Sequence, residues 1–407
     1  MEPKDVENYD VVIVGGGIGG LTLGCALAGN GRKTCVLETR TSLARSKRGL
    51  ALQANGLAAL ENLGLLNQVL PIGMKTSRVT WREMRHGQLA SYDYSILDHP
   101  HNFLLTIIPS ELEMILREEL LKRGGVLHES TSFLDVKREA TGQMRVTALQ
   151  NGLALEYFAR ILVGADGENS KVRKTLGVRT HVKECPDHYL FMLIGPIDAI
   201  RKEAKQYFAR GKMVGFYPTL NSTYVFYYVP KSKLEALKSR GLELFKNELA
   251  QIEPNVSGAL DNLQSWDDLA HAAPKRIDVE NWVVDGAAIM GDAVHALDPA
   301  WAQGANLSLQ DAVVLADTIE RCLESGDFSA NALRSYESAR MKQAKFVQDQ
   351  SERTAHVTTT ENRFYYWLGK RLIRNTGADP RLMEIALKAS SGLTDHISMR
   401  DRIRFLI

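Results

Sequence analysis

The chain has 407 residues, of which 44% are hydrophobic and 24% charged, a composition typical of a soluble globular protein with more than one domain. Lys and Arg number 50 and Asp and Glu 48, so the formal net charge of +2 argues against binding nucleic acid through bulk charge. The four cysteines are scattered without metal-ligand spacing, which favours thiols in a reducing compartment and no metal site. Because neither a signal-peptide pattern nor about 18 uninterrupted apolar residues occurs, we expect a cytoplasmic protein.

The first strand, turn and helix form a pattern typical of a dinucleotide site. An apolar, β-branched strand at residues 10–14 is followed by Gly15, Gly17 and Gly20 in the spacing G-x-G-x-x-G. The first glycine permits a tight turn, the second lets a pyrophosphate approach the backbone, and the third lets the helix pack closely on the strand. The free N–H groups of the first helical turn would then face the phosphates.

A second strand at residues 33–37 ends at Glu38, 18 residues after the last of these glycines (38 minus 20). At this offset the Glu38 carboxylate can accept a hydrogen bond from ribose hydroxyls, and its negative charge would repel a 2′-phosphate. A glycine-rich turn in another kind of α/β domain is the alternative. In the basic loop that follows, Arg45, Lys47 and Arg48 either form a solvated surface or place one cation against the phosphates or adenosine of a cofactor. Arg48 is the first candidate for the second role.

The next part of the chain predicts a mixture of strands and helices. Residues 77–94 show strand-like alternation around a turn at 86–88, which predicts a hairpin in a sheet other than the first. The elements predicted after it are a strand at 104–108, a helix at 111–123, and a three-stranded meander at 125–138, 144–150 and 153–158.

A second motif follows an apolar strand at residues 161–163. The strand runs into the sequence Gly-Ala-Asp-Gly that ends at Gly167, and a helix is predicted at 170–176. Asp166 is either a turn former and helix cap or a ligand-binding residue. The pattern alone leaves both interpretations open.

Aromatic strands at residues 213–220 and 222–230 predict an antiparallel sheet. In the second strand Tyr224, Phe226 and Tyr228 share one face. Such a face makes a wall for a flat apolar ligand. Packing within an ordinary core is the alternative.

A charged helical stretch at 231–252 and a strand at 282–290 lead to the third motif at 291–312, which places Asp292 at the end of a strand. Ligands collect at the carboxyl ends of strands in open α/β sheets. A long helix then starts at residues 303–306, and its exposed N–H groups suit an anion or an electron-rich ring edge.

The remainder, residues 330–407, is helical and increasingly basic. Amphipathic stretches at 364–374 and 399–407 either lie on a membrane surface or pack on the protein's own domain while their cations reach into water. Both interpretations stay open.

Three motifs in this order, near residues 15, 166 and 292, resemble those of FAD-dependent (class A) flavoprotein monooxygenases of the para-hydroxybenzoate hydroxylase and ubiquinone-biosynthesis hydroxylase type. The resemblance implies an α/β fold: a Rossmann-like FAD-binding domain with an inserted antiparallel-sheet substrate domain and a C-terminal helical segment. The implied domains are a discontinuous FAD-binding domain at 1–75, 101–179 and 279–340, a substrate-binding sheet domain at 76–100 and 180–278, and C-terminal helices at 341–407.

The resemblance also implies which residues hold the cofactor. Glu38 would bind the adenosine ribose, Asp292 the ribitol, and the backbone of 304–306 the pyrimidine edge of the flavin ring. The full implied set is Gly15, Gly17, Ile18, Gly19, Gly20, Glu38, Thr39, Arg48, Asp166, Asp292, Gly304, Ala305 and Asn306.

For the substrate pocket the expected residues are Tyr217, Tyr228 and Trp301. No catalytic base is assigned. His295 and Tyr217 are candidates for a proton carrier, and a packing role for His295 is the alternative.

The activity implied by the resemblance is oxygenation. NAD(P)H would reduce FAD, the reduced flavin would take up O2, and a flavin hydroperoxide would hydroxylate an aromatic or quinone/quinolone-like small molecule. Two alternatives keep the fold: a flavin-dependent reductase of an isoprenoid double bond, and a non-catalytic flavoprotein that shields a reactive intermediate for a partner. We expect no nucleic-acid partner, and the sequence does not define the oligomeric state.

Two departures from the family pattern affect the flavin end. Many members carry Arg or Gln near the start of the helix after the strand at 104–108, where this chain has Pro109 and Ser110. Many also carry two glycines where this chain has Trp301 and Ala302. We expect the indole to narrow the space beside the flavin ring, and both departures bear on flavin reduction by a nicotinamide.

Overall fold

The computed structural model describes residues 7–406, so residues 1–6 of the predicted first segment and residue 407 of the predicted last helix lie outside it. The strands are β1 (Glu7–Val14), β2 (Thr34–Leu37), β3 (Leu50–Leu52), β4 (Met74–Thr76), β5 (Arg78–Glu83), β6 (Gly87–Asp93), β7 (Leu104–Ile107), β8 (Val126–His128), β9 (Thr131–Arg138), β10 (Met144–Gln150), β11 (Leu153–Gly164), β12 (Thr180–Glu184), β13 (Asp187–Ile194), β14 (Ala204–Ala209), β15 (Lys212–Pro218), β16 (Thr223–Pro230), β17 (Ala270–Ala272), β18 (Lys275–Val279), β19 (Val283–Val284) and β20 (Ala287–Ile289). The helices are α1 (Ile18–Gly29), α2 (Ala54–Asn62), α3 (Leu66–Val69), α4 (Pro109–Lys122), α5 (Lys171–Thr175), α6 (Leu234–Ser239), α7 (Leu242–Ile252), α8 (Asp292–His295), α9 (Gly304–Ser325), α10 (Ala330–Thr358), α11 (Arg363–Ala378), α12 (Pro380–Ser390) and α13 (Met399–Leu406).

An eight-stranded sheet has β1 at its centre, parallel to both of its neighbours, β11 and β2. The strand order is β19-β20-β11-β1-β2-β8, and β9 and β10 continue from β11 as an antiparallel meander. Val11 and Ile13 belong to the core that includes α1 and α9, whereas Val12 and Val14 belong to the core under the meander. β1 is therefore buried on both faces, which explains its continuous apolar sequence and confirms the α/β prediction.

Three predicted strand boundaries were wrong. The two strands predicted within residues 153–163 are one strand, β11, whose first half pairs with β10 and whose second half pairs with β1 and β20. The strand predicted at 125–138 is interrupted at Ser130, which has a φ of 53°. The strand predicted at 282–290 is a hairpin that turns at Gly286, with a φ of 74°. At both interruptions a residue in the left-handed region separates two strands.

The second large sheet has seven strands in the order β17-β13-β16-β15-β14-β5-β6. The hairpin predicted at 77–94 forms β5 and β6, and β5 joins this sheet by pairing in parallel with β14. On one face of β16, Val225 and Tyr227 pack with Phe245 of α7, and the opposite face carries Tyr224 and other aromatic residues. The predicted aromatic face and the antiparallel pairing of β13 to β16 are thus confirmed, although the β5–β14 pair makes the whole sheet mixed, and the exact domain boundaries stay a prediction.

A buried carboxylate joins the end of the first sheet to the two longest helices. Asp311 on α9 is fully buried and accepts hydrogen bonds from the backbone N–H of Gly291 (3.0 Å), from His295 Nε2 (2.5 Å) and from Arg340 Nε of α10 (2.8 Å). Burial alone would raise the pKa of Asp311, but the charges and hydrogen bonds of His295 and Arg340 lower it to about 2. The ionised carboxylate therefore fixes the 291–295 turn against both helices.

The C-terminal helices cover one side of the seven-stranded sheet. The face of α11 with Gly369, Ile373 and Thr376 is buried, and the helix lies against β6. Close to its end, a Cβ on Gly377 would lie 2.4 Å from the Cβ of Ala90. Within residues 7–406, every helix is too short or too polar to cross a bilayer.

Replacing Arg340 with Met should destabilise the protein by about 3–5 kcal/mol, because it removes one of the two cationic partners of a fully buried carboxylate. Chemical denaturation of the wild type and the variant measures the difference. The matched control is Arg334→Met, since Arg334 lies on the same helix and is exposed. Equal unfolding free energies for the two variants would contradict the importance given to the Asp311 cluster.

Candidate active site

One cavity of about 1210 Å³ connects the motif residues with the aromatic sheet. At one end its wall is made by the glycine-rich turn, the 165–168 segment and the 290–305 segment. At the other end the wall is made by the seven-stranded sheet and by α11, α12 and α13. We call these two parts the cofactor end and the aromatic end.

The glycines of the first motif have the geometry predicted for them. Gly15 has a φ of 111°, and a Cβ on it would lie 2.3 Å from the carbonyl oxygen of Ala165. A Cβ on Gly20 would lie 2.0 Å from the carbonyl oxygen of Gly15. Gly17 differs, because its Cβ would meet nothing within 4 Å and would point into open space at the N-terminus of α1. Gly17, Ile18 and Gly19 all line the cofactor end.

Glu38 lies beside this turn and is buried. Its carboxylate accepts hydrogen bonds from the backbone N–H of Gly16 (2.9 Å) and of Arg40 (2.8 Å), and Arg40 Nε lies 3.2 Å away. Burial opposes its ionisation, but the Arg40 and Gly16 hydrogen bonds hold the pKa of Glu38 below its usual value. Thr39 is exposed and donates to the same carboxylate at 3.2 Å. Neither Glu38 nor Thr39 forms part of the cavity wall itself.

Asp166 has the capping geometry that the sequence left as one of two options. Its carboxylate accepts hydrogen bonds from Ser170 Oγ (2.5 Å) and from the backbone N–H groups of Lys171 (2.7 Å) and Val172 (3.1 Å). The cavity wall here is formed by its neighbours, including Gly167. Asp166 therefore shapes the loop, and direct contact with a cofactor stays a prediction.

Arg173 ties this loop to the third motif. Its guanidinium donates to the carbonyl oxygens of Ala293 (2.5 Å) and Glu168 (2.9 Å), and it is almost completely buried. Because desolvation disfavours the charge, burial lowers the pKa of Arg173. Two loops that are 120 residues apart in the chain are thus held together at the cofactor end.

The third motif places one acid and one helix terminus at the cavity. Asp292 is exposed at the start of α8 and lines the cofactor end, as do Gly304 and Ala305 in the first turn of α9. The backbone N–H groups of this turn have no partner within the helix. Asn306 is buried and acts by its side chain on another loop, since it accepts from the backbone N–H of Gln53 (2.9 Å) and donates to Ala51 O (3.0 Å). A backbone role for residues 304–306 stays a prediction.

Arg48 and Pro109 line the same cavity. A Cβ on Gly49 would lie 2.5 Å from Cγ of Tyr224, so the Arg48 loop approaches the aromatic sheet closely. Burial raises the pKa of the Tyr224 hydroxyl, and the positive charge of Arg48 offsets part of this rise. The loop therefore connects the two ends of the cavity, and its contact with a cofactor stays a prediction.

Aromatic side chains from several strands form the other end. They are Trp81, Tyr92, Tyr94, Tyr189, Phe191, Tyr217, Tyr224 and Phe226. Burial raises the pKa of Tyr217 to about 12, so it is neutral near pH 7. Gln206 donates a hydrogen bond to the Tyr217 hydroxyl oxygen. Because that oxygen accepts a hydrogen bond from the amide, the tyrosine's own O–H is available to donate to another acceptor.

The sequence did not identify the contribution of the C-terminal helices to the cavity. Leu372, Ile373 and Thr376 of α11 and Phe405 of α13 line the aromatic end. The available signal was the spacing of apolar and small residues along 364–374, which predicts a buried helix face but not the sheet against which it packs. The interpretation that α11 packs on its own protein is confirmed for this face.

Two predicted residues lie away from the main cavity. His295 is buried with its Nε2 against Asp311, which is the packing arrangement, and its candidacy as a proton carrier stays a prediction. Tyr228 lines a second cavity of about 1240 Å³, where its hydroxyl donates to Asp187 Oδ1 at 2.8 Å. Asp187 begins β13, which pairs with β16, and the predicted substrate contact of Tyr228 stays a prediction.

The two cavities meet at a buried pair. Tyr189 lines the first cavity and Asp298 the second, and the Tyr189 hydroxyl donates to Asp298 Oδ1 at 3.1 Å. The same oxygen accepts from the backbone N–H of Ala300 at 2.9 Å. Burial raises the pKa of Asp298 to about 7, with the charges of Asp187 and Glu352 acting in the same direction. This carboxyl fixes the loop that precedes α9.

The two residues that replace the family's glycines have specific environments. Trp301 lines the cavity, and its Nε1 donates to Thr354 Oγ1 of α10 at 2.9 Å, which holds the indole toward that helix. Ala302 has a φ of 51° and a ψ of 37°, a left-handed conformation that costs a non-glycine residue roughly 1–2 kcal/mol. The narrowing expected beside the flavin ring stays a prediction.

Comparisons with known proteins agree with this geometry. Over 375 residues the chain is 28% identical to 6-methylpretetramide 4-monooxygenase of Streptomyces rimosus, covering 90% of this chain and 87% of that protein. It is 27% identical to aurachin C monooxygenase/isomerase of Stigmatella aurantiaca, covering 91% and 94%. The crystal structure of p-nitrophenol 4-monooxygenase from Pseudomonas putida DLL-E4 superposes with a TM-score of 0.82 at 18% identity, covering 95% of this chain and 99% of that one, which shows the same fold.

The family model of the FAD binding domain matches residues 8–351. This range contains the glycine-rich turn, the Asp166 loop and the Asp292 motif, whose residues surround the cofactor end of the cavity. The chain belongs to the FAD binding domain family.

Proposed function

We propose that this protein is an FAD-dependent monooxygenase that hydroxylates an aromatic or quinone/quinolone-like small molecule, with O2 and NAD(P)H as cosubstrates. The observation that carries the proposal is the single cavity that joins the FAD-family motifs to an aromatic wall. Relatives named as monooxygenases, which match along most of the chain, support oxygenation over a reductase or a non-catalytic flavoprotein.

FAD fits the cofactor end on observations of this structure. Gly17 leaves open the space that a Cβ would fill, at a helix N-terminus whose N–H groups favour phosphate. Gly17, Ile18 and Gly19 would hold the pyrophosphate, Glu38 the adenosine ribose and Asp292 the ribitol. The first turn of α9 would face the flavin ring.

When bound, FAD supplies the redox chemistry and the activation of O2. The chain's own residues bind and orient the substrate and exclude water. The aromatic end, walled by Tyr224, Phe226 and the inner face of α11, suits a flat apolar ring system. Tyr217 is placed to donate a hydrogen bond to a carbonyl or phenolate oxygen of that ring, because Gln206 occupies its acceptor side.

Cytoplasmic location is part of the proposal. All four cysteines lie within the described residues and are thiols rather than disulfides, which suits a reducing compartment. Burial raises the pKa of Cys25 and of Cys185 to about 12, so neither is a reactive thiolate near neutral pH.

Replacing Gly17 with Val should abolish FAD binding while leaving the fold intact. The backbone there is extended, with a φ of −82°, and the new Cβ meets no neighbouring atom within 4 Å but enters the space expected for the pyrophosphate. We expect FAD affinity, measured by quenching of flavin fluorescence, to fall about a hundredfold or more. The control is Gly258→Val, where a Cβ also meets nothing within 4 Å but lies far from the motifs in the sequence. Unchanged affinity in Gly17→Val would contradict the assigned cofactor site.

Purified holoenzyme should consume O2 in a substrate-dependent manner. The assay follows O2 and NAD(P)H in the presence of a panel of phenols and quinolones, and mass spectrometry tests for isotope-labelled oxygen from O2 in the product. In a separate experiment, anaerobic mixing with NADH or with NADPH tests whether the nicotinamide reduces the bound flavin, given that Pro109 stands where many members of the family carry Arg or Gln. Reduction of an isoprenoid double bond without O2 uptake would support the reductase instead, and no turnover with either reductant would support the non-catalytic alternative.

Replacing Tyr217 with Phe should lower kcat/KM about tenfold, the effect of losing one hydrogen bond to a substrate oxygen. FAD content should stay unchanged, because the Tyr217 ring lies at the aromatic end. Tyr227→Phe is the matched control: Tyr227 lies on the opposite face of the same sheet, and its hydroxyl donates to Glu248 at 2.8 Å. If both variants turn over equally well, Tyr217 does not orient the substrate.

A further inference from the structure

The outer face of α11 is unusually apolar for an exposed helix. Phe364 is 62% and Trp367 is 50% exposed, and their ring centroids lie 6.0 Å apart. Tyr365 is partly exposed next to them, with its ring 5.6 Å from that of Phe364. On the neighbouring α13, Met399 and Ile403 are also exposed. Clusters of exposed apolar residues mark interaction sites rather than ordinary surface.

Cations share this face with the aromatic rings. Trp367, Arg371 and Arg374 follow Phe364 by three, seven and ten residues, so all four lie along one stripe of the helix. The Arg371 guanidinium lies 5.7 Å from the Trp367 ring. Across its whole length α11 carries four Lys or Arg residues and no Asp or Glu. We call Phe364, Trp367, Arg371 and Arg374 the aromatic–arginine stripe.

We propose that the aromatic–arginine stripe docks the protein on an anionic lipid surface. Trp and Phe are the side chains that settle at the membrane interface, and arginines reach the lipid headgroups from the same helix. A second copy of the chain fits less well, because α11 has no Asp or Glu with which a symmetric contact could pair the arginines of the other copy. Negatively charged headgroups complement the stripe, which supports lipid as the occupant.

The inner face of the same helix gives docking a consequence for the substrate. Leu372, Ile373 and Thr376 line the aromatic end of the cavity, so only the width of α11 separates the stripe from the site. This consequence rests on the proposed function: the substrate would be a lipophilic aromatic compound that partitions into the membrane. Docking itself does not depend on turnover.

Co-sedimentation of the holoenzyme with vesicles tests the docking. We expect binding to vesicles that contain phosphatidylglycerol, weaker binding to pure phosphatidylcholine, and weakening by salt. The double variant Phe364→Ser with Trp367→Ser should lower the partition coefficient at least tenfold, and Arg371→Gln with Arg374→Gln about thirtyfold on anionic vesicles. The control is Leu153→Ser with Leu244→Ser, which removes two exposed leucines of other surfaces.

Tryptophan fluorescence gives an independent readout. Of the five tryptophans, all within the described residues, Trp367 alone is exposed, so a blue shift on adding vesicles should disappear in Trp367→Phe. Absent vesicle binding, or binding equal in the stripe variants and the control, would overturn the proposal. A dimer that light scattering shows to dissociate in the Phe364→Ser, Trp367→Ser variant would also overturn it, in favour of a second copy. FAD content and O2 uptake, measured in parallel, separate these outcomes from failure of the proposed function.

Discussion

The buried carboxylate of Asp311 determines how the cofactor end is assembled. A carboxylate without partners in the interior would cost several kcal/mol, so its stability depends on the three donors that reach it. Those donors come from the turn after β20, from α8 and from α10. Satisfying one charge therefore fixes the segment that presents Asp292 and the segment that begins α9. Arg173 adds a second link, from the Asp166 loop to the same turn.

The loop between α8 and α9 is held from both sides and carries local strain. Asp298 anchors its beginning through Ala300, and the side chain of Asn306 donates to Ala302 O at 2.8 Å near its end. Between them Ala302 adopts a left-handed conformation that glycine would adopt without cost. Such strain persists where the surroundings over-determine the backbone, and it clusters at functional sites. Because Asp298 and Asn306 hold the loop on both sides, the Trp301 indole stays against α10 although the backbone conformation of Ala302 next to it is unfavourable.

The sequence predicted the cofactor end better than the aromatic end, for a physical reason. Gly15, Gly17 and Gly20 act through local backbone geometry, which a spacing of a few residues encodes. Asp311 was within the third motif but gave no signal, because its partner Arg340 is 29 residues away and the charge pair exists only after α9 and α10 pack. Similarly, the alternation along β16 predicted the aromatic face, but only the fold shows that Tyr228 meets Asp187 instead of the cavity.

The errors in the predicted strand boundaries also arise because the boundaries depend on tertiary contacts. The sequence predicted every apolar run of the first sheet, but not where the partner strand changes: β11 pairs with β10 and then with β1 without a break in its own backbone. Conversely, Ser130 interrupts a run in which no glycine or proline marks the boundary. To predict the change of partner along β11 and the interruption at Ser130, one would need to know in advance which strands pair in the folded protein.

The cavity combines a cofactor end built by the three motifs with an aromatic end built by elements outside them. Strands β5, β6 and β13 to β16 and helices α11 to α13 supply the second wall, and α11 to α13 lie beyond the 8–351 range of the family model. Substitutions there can reshape the substrate space without touching the Asp311 cluster or the glycine turn. Two relatives that share little more than a quarter of their residues with this chain are named for different compounds, 6-methylpretetramide and aurachin C. We therefore expect substrate choice to depend on the seven-stranded sheet and the terminal helices, because these elements form the part of the cavity wall that lies outside the three motifs.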